Sequence, residues 1–413
     1  MAGDLKREVS GKSIAALIAI YLVYGLAQAS NEFRMLFLKD WGLTATECGR
    51  VLSAASLLCV FAGPVASALA DKLRSRRIVY MISASLWLIS VAGLLLFGRY
   101  HIAGFLLCAG FMPLMNVFDS ITYNLVEATG VNASMMVKKV DFSIIRVCLS
   151  VGYCLINFAY TPIVNRFGVH VPFLCTGVLV VILLILSGTI KTFETEIVLE
   201  KGKKQKLEIS RILKSYYLMT FLVLCFIQTL GASSQAFLVY LMEEVGINQA
   251  LIGTAGGVRV CGEILMLLLI PLLKRKFSLV FLQAVSTFML ILQLVIFLTV
   301  REPIFIFASL ILTGCGWGIL LGTKAVYLRA LAPEGLDTLT ITLYSSVTSV
   351  GSIIMSAVCG SIVDGSGIYA LYRISLSIYL IWMILFFGSW AFGKYVLKIE
   401  PIMAMFKPWR KRR

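Results

Sequence analysis

Residues 171–190 read VPFLCTGVLVVILLILSGTI, twenty positions without a charged side chain. A helix of that length rises about 30 Å, the thickness of a bilayer's hydrocarbon core. In hydrocarbon every backbone N–H and C=O must find its partner within the protein, and an α-helix satisfies its own. The stretch is therefore read as a membrane-crossing helix. The same reading, carried outward, gives twelve spans in all: 14–38, 48–70, 78–98, 103–126, 142–162, 171–190, 216–242, 249–272, 278–299, 303–327, 338–363 and 369–393. The expected fold class is an all-α membrane protein. Composition agrees, with 59% hydrophobic and 14% charged residues, against about a quarter charged in soluble domains.

One long polar insertion, Lys191 to Lys214, divides the spans six and six. The expected organisation is an N-terminal six-helix bundle over 1–190, a cytoplasmic linker over 191–214, a C-terminal bundle over 215–395 and a basic tail over 396–413. The halves also repeat each other. Phe37-Leu38-Lys39-Asp40-Trp41-Gly42-Leu43, with Gly49 seven beyond Gly42, matches Leu241-Met242-Glu243-Glu244-Val245-Gly246-Ile247, with Gly253 seven beyond Gly246. Parallel six-helix repeats that enclose a midplane site are an architecture of secondary transporters.

The formal net charge of +16 would point to nucleic acid in a soluble chain. Here its placement fixes orientation instead. With both termini cytoplasmic, inside segments hold 27 Lys and Arg and outside segments six, the asymmetry of the positive-inside rule. Localisation in the cytoplasmic membrane follows, with the tail Lys407 to Arg413 on an anionic inner leaflet and no nucleic-acid partner. A monomer is expected.

Enzyme chemistry has little to stand on. Ser10-Gly11-Lys12-Ser13 lacks the earlier glycine of a phosphate-cradling loop, and the two histidines, His101 and His170, fall at outer helix ends. The ten cysteines lie in or beside apolar spans without C-x-x-C or other ligand spacing. No cofactor, no metal site and no catalytic set are expected.

The loop after the second span, Ser67-Ala68-Leu69-Ala70-Asp71-Lys72-Leu73-Arg74-Ser75-Arg76-Arg77, resembles the signature of the major facilitator superfamily: a small residue four before an Asp, then a basic cluster. Two motif glycines are replaced, by Ser67 and Arg74. Within that superfamily the chain resembles the branch of lactose, phenylpropionate and nucleoside permeases, all proton symporters. The segments that carry this likeness are Leu36-Phe37-Leu38, the Asp71 loop, Arg146 with Gly152, Gly262-Glu263, and Gly360 with Asp364-Gly365. The resemblance implies gating roles for Asp71, Lys72, Arg76 and Arg77, a solute- and proton-linked role for Glu263, and a substrate-binding role for Arg146. It also has gaps. The tenth span reads Leu312-Thr313-Gly314-Cys315-Gly316-Trp317-Gly318 where lactose permease has a histidine and a glutamate, and Gln293 stands at the ninth-span arginine.

Charges inside spans cost roughly 2.5–3.5 kcal/mol at helix centre even on a lenient scale, so each is a functional candidate. Arg259 and Glu263 are one turn apart and share a face. Arg146 and Asp119, placed near the inner end of the fourth span, are expected to face each other, as a salt bridge or around a solute or proton. Asn31, Glu32 and Arg34 crowd one turn; Arg34 and Lys324 are expected to snorkel to the interfaces. The proton-coupling candidates are Glu263, Asp119 and Glu32. The substrate-binding candidates are Arg146, Arg259, Asn31, Asn116, Tyr123, Gln235 and Trp317. Glycines Gly314, Gly316, Gly318 and Gly322 are read as points of close helix approach.

The expected activity is secondary active transport of a small polar organic solute, a sugar, nucleoside or aromatic acid, by alternating access with proton symport. Efflux by proton antiport, or a non-transporting solute sensor on the same fold, are the alternatives built from the same parts.

Overall fold

Hydrocarbon leaves a spanning chain only helix or closed barrel, and this chain is helical almost throughout. The computed structural model describes residues 11–73, 75–102, 105–136, 142–189, 215–332 and 337–398. The helices are α1 Gly11–Gln28, α2 Arg34–Asp40, α3 Ala45–Leu73, α4 Arg76–Phe97, α5 Cys108–Met136, α6 Phe142–Phe167 and α7 Val171–Thr189. After the linker follow α8 Tyr216–Ala232, α9 Leu238–Glu244, α10 Ile252–Lys276, α11 Leu279–Thr299, α12 Pro303–Leu331, α13 Asp337–Ser366 and α14 Ile368–Ala391. A two-residue antiparallel ladder, His101–Ile102 with Phe105–Leu106, joins α4 to α5.

Among the described residues nine helices are long and apolar enough to cross a membrane. The other three spans expected from sequence coincide with α1–α2, α5 and the shorter α7. The fourth span needs a shift: α5 runs on to Met136, ten residues past the expected end at 126. That places Asp119 near mid-helix and brings Glu127 into the helix.

The repeat seen in sequence is also a structural repeat. A 3-10 turn, Ala29–Phe33, interrupts the first helix between α1 and α2, and another, Ser233–Phe237, interrupts the seventh between α8 and α9, a displacement of 204 residues (29 to 233). Each broken helix ends on a glycine in the left-handed region, Gly42 at φ 87° and Gly246 at φ 75°. A side chain there would be strained, so glycine sets the stop. At the second site the Ile247 N–H closes back on the Met242 carbonyl at 2.7 Å, satisfying an end carbonyl that the helix leaves open.

Two compact units divide the chain: Met1–Trp41 with Leu58–Leu199, and Gly42–Leu57 with Glu200–Arg413. The division cuts α3.

In the first unit α1 and α6 touch backbone to backbone. A Cβ on Gly25 would sit 3.1 Å from Leu149 Cα, and one on Gly152 would sit 3.3 Å from the Leu22 carbonyl carbon. Tyr21 donates to the Val126 carbonyl at 3.0 Å. Thr176 on α7 donates to the Ala27 carbonyl at 2.8 Å, where the 3-10 turn begins. The same hydroxyl lies 2.8 Å from Ser30 Oγ within the turn, so α7 holds the interruption.

In the second unit α10 and α12 approach through small residues. A Cβ on Gly314 would lie 2.9 Å from the Glu263 nitrogen, on Gly318 2.8 Å from the Glu263 carbonyl oxygen, and on Gly322 2.8 Å from Ile270. These glycines recur every four residues and so line one face, the close-approach pattern of membrane helices.

The start of α3 belongs to this unit too and is capped twice. Thr44 and Glu47 form a reciprocal box, Glu47 N–H to Thr44 Oγ1 at 3.2 Å and Thr44 N–H to Glu47 Oε2 at 2.8 Å. The Asp364 carboxylate from the end of α13 accepts the next two free amides, Ala45 at 3.1 Å and Thr46 at 2.7 Å. Ser53 continues the seam, donating to the Ile353 carbonyl at 2.7 Å. Asp364→Ala strips two amides of their acceptor and is expected to cost about 1 kcal/mol, as cap removal does. A lower apparent melting temperature in detergent, relative to the exposed control Ser377→Ala, checks this.

Candidate functional site: a polar cluster around Asp119

Tyr24 on α1, Asn31 and Glu32 in the 3-10 turn, Arg34 on α2, Asn116, Asp119, Tyr123 and Glu127 on α5, and Arg146, Ser150 and Tyr153 on α6 form one polar cluster in the first unit. Asp119 is its buried centre, 3% exposed. Tyr24 donates to its carboxylate and also lies 3.1 Å from its carbonyl oxygen. Asn31 Nδ2 donates to the other carboxylate oxygen at 3.0 Å. Two neutral donors from the first helix therefore hold one carboxyl on the fourth.

The 3-10 turn explains the reach of the first helix. Residues three apart eclipse in such a turn, which sets Arg34 over Asn31: Arg34 Nε donates to the Asn31 carbonyl at 3.3 Å. The Arg34 guanidinium then donates to the Asn116 side-chain oxygen. Arg34 therefore departs from the expectation that it snorkels. Its fork is drawn inward by Asn116, one turn before Asp119.

The other end of the cluster is aromatic and basic. Arg146 lies over the Tyr123 ring at 5.9 Å and donates to Ser150 at 3.4 Å. Tyr123 stands 5.9 Å from Tyr24 ring to ring and donates to Glu127 at 3.3 Å. Tyr153 donates to Glu32, and below it Asn157 donates to the Tyr153 carbonyl at 2.9 Å. Asp119 takes hydrogen bonds from Tyr24 and Asn31, and Tyr123, which Arg146 overlies, stands ring to ring with Tyr24.

The second unit presents a sparser set. Arg259 and Glu263 sit one turn apart on α10, both half-buried, where Gly314 and Gly318 bring α12 against their backbone. Gln235, in the 3-10 turn, exchanges hydrogen bonds with the fully buried Gln293, at 2.9 and 3.3 Å. Gln235 is the repeat equivalent of Asn31, displaced by the same 204 residues (31 to 235); each reaches from the break in its broken helix to a polar group on another helix. The charges do not repeat: Glu32 and Arg34 correspond to Ala236 and Leu238. Trp317 is half-buried on α12. Lys324, expected to snorkel, places its ammonium 4.5 Å from the Tyr344 ring centre, a cation–π contact.

Of the gating candidates, Asp71 and Lys72 stand in the last turn of α3, and Arg76 and Arg77 open α4 behind Ser75, whose hydroxyl caps the Ile78 N–H at 3.3 Å. The side chains of Asp71 and Arg76, the linker 191–214 and the tail 399–413 lie outside the described residues.

Sequence reasoning missed Tyr24, Glu127, Ser150 and Tyr153. Each stands on a helical face already marked by a chosen residue: Tyr24 seven before Asn31, Glu127 four after Tyr123, Ser150 and Tyr153 four and seven after Arg146. Extending each chosen position by one and two turns would have found them.

The profile of the MFS_1 like family matches residues 15–388. No curated protein matches. Solved structures do: the nucleoside transporter NupG, 16% identical, with a TM-score of 0.73 over 94% of this chain and 100% of that one; a D-xylose–proton symporter, 14% identical, TM-score 0.71, covering 93% and 98%; and the POT family transporter PepTSo, 9% identical, TM-score 0.69, covering 92% and 99%. The profile match over most of the length, the multi-pass helical fold and its duplicated halves agree, and the chain belongs to the MFS_1 like family of major facilitator secondary transporters.

Proposed function

We propose that this protein imports a small polyhydroxylated solute, a sugar or a nucleoside, together with protons across the cytoplasmic membrane, with both termini inside. The observation that carries the reading is Asp119, a buried carboxyl bonded by Tyr24 and Asn31. When solute hydroxyls compete for those donors, the carboxyl changes partners, and a group that changes partners changes its proton affinity. That is the linkage a symporter needs: solute binding alters protonation, and protonation alters solute binding. Arg34, Asn116 and Asn31 offer donors and acceptors to hydroxyls, and the Tyr123 ring beside Arg146 offers a face for a sugar or base. The structural relatives that carry nucleosides and D-xylose support this solute class.

The proposed movement is alternating access by the two bundles, with the Asp71 to Arg77 turn between α3 and α4 as its gating element. The start of α3 is tied to α13 within the second unit by Asp364 and Ser53, while Leu58 onward belongs to the first unit.

A thermal-shift screen of the purified protein against sugars, nucleosides and aromatic carboxylates, at two pH values, tests the solute class. A ligand at 100 times its Kd adds about 2.7 kcal/mol to the folded state, so a pH-dependent shift with a sugar or nucleoside is the expected result. Shifts with aromatic acids alone would contradict it. Glu263, with Arg259 beside it, is the proposed solute contact of the second unit. Glu263→Gln is expected to raise the KM for uptake about tenfold, the loss of one charge-assisted hydrogen bond, read by vesicle uptake.

A further inference from the structure

An apolar groove of about 390 Å3 lies among α3, α4 and α5 of the first unit. Phe61, Val65 and Leu69 on α3, Val79 and Leu86 on α4 and Phe118 on α5 form much of its wall. The one polar side chain lining it is Ser83, whose hydroxyl is already engaged by the Tyr80 carbonyl at 3.0 Å and Thr122 at 3.1 Å. Such walls offer water no hydrogen bonds, and the polar solute none either. Phe61 and Val65 are 64% and 65% exposed, so the groove is open along one flank to whatever surrounds the helices. In a bilayer that is lipid.

Charge names the lipid. The groove ends at Leu69 and Val79, and the turn between them carries Lys72, three residues past Leu69, and Arg77, two before Val79. Lys72 is exposed. Arg74 and Arg76 add to the same turn in sequence. A basic cluster at the end of an apolar trough fits a phosphate headgroup above a hydrocarbon chain. On α5 the groove wall, Leu114, Phe118 and Ile121, is the back of the helix whose other face presents Asn116, Asp119 and Tyr123.

We propose that this groove holds one acyl chain of an anionic phospholipid, with its headgroup at Lys72 and Arg77. The assignment to the cytoplasmic leaflet rests on the orientation read from charge, and lipid binding is measured without transport, so its failure is separate from that of the symport reading.

The test uses the delipidated full chain reloaded with phosphatidylglycerol or phosphatidylcholine, with retained lipid counted by native mass spectrometry. The expected result is at least tenfold preference for phosphatidylglycerol, abolished in Lys72→Gln/Arg77→Gln, and loss of the retained lipid in Ala62→Phe/Ala66→Phe, which fills the groove. A second readout leaves the groove open: the added fluorescence of Val65→Trp is quenched more by chain-brominated phosphatidylglycerol than by brominated phosphatidylcholine. Equal retention of the two lipids, retention unchanged by filling, or equal quenching by the two brominated lipids would overturn the proposal. If the filled variant does not fold, the Val65→Trp comparison decides.

Discussion

Asp119→Asn is expected to abolish solute accumulation driven by a pH gradient, by at least ~100-fold, while solute exchange across the same vesicles continues. The size follows from removal of the titratable group that carries the proton, since without it the pH gradient has nothing to act on; the hydrogen bond to a charged group that is lost with it, roughly 1.5–3 kcal/mol, adds about 10- to 150-fold in affinity. Asparagine keeps the side-chain shape and one of the two oxygens that accept from Tyr24 and Asn31, so it gives up one hydrogen bond while the outline of the cluster is kept. What is lost is the proton. The measurement is paired uptake and counterflow in proteoliposomes. Accumulation equal to wild type would remove Asp119 from coupling, and loss of exchange as well would make it a solute-binding group without a separate proton role.

Gly314→Val is expected to have the largest effect on the fold. A Cβ at that position already lies 2.9 Å from the Glu263 nitrogen, and the obstacle is backbone, which has no rotamer to escape through. Overpacking of this kind costs about 1–3 kcal/mol and more where the backbone must move. The variant should show an apparent melting temperature lower by several degrees, and it should disturb the Arg259 and Glu263 positions even before it unfolds. Gly388→Ala is the contrast: nothing lies within 4 Å of a Cβ there, and alanine favours helix over glycine by about 1 kcal/mol, so that change should be neutral or stabilising. Equal stability of Gly314→Val and wild type would mean that α10 and α12 are not held at this spacing.

The parts of the fold that were legible in sequence are those governed by the solvent. A run such as residues 171–190 has one way to satisfy its backbone in hydrocarbon, so α7 could be read without tertiary knowledge. The repeat was legible because Gly42 and Gly246 both need a backbone that only glycine adopts without strain. The 3-10 turns at Ala29–Phe33 and Ser233–Phe237 were not legible, since nothing local in ASNEF or SSQAF forbids an α-helix; the distant bonds to them run from Thr176 to the first and from Gln293 to the second. Arg34 was misread for the same reason. Its depth fits snorkelling, and only the presence of Asn116 on another helix turns it inward. Glu127 was lost to the boundary of the fourth span, because hydropathy falls where α5 becomes polar and the helix does not stop there. Polar residues lower the very signal by which a span is recognised, so α5, which carries much of the polar cluster, is the helix whose limit was read worst.

Joint movement of solute and proton through the Asp119 cluster is tested most directly by recording external pH as solute is added to de-energised proteoliposomes containing the protein. Symport predicts alkalinisation outside the vesicles on adding the sugar or nucleoside found by thermal shift, and no alkalinisation with Asp119→Asn although solute still equilibrates. Solute entry without any pH change in the wild type, or the same alkalinisation in the variant, would contradict it.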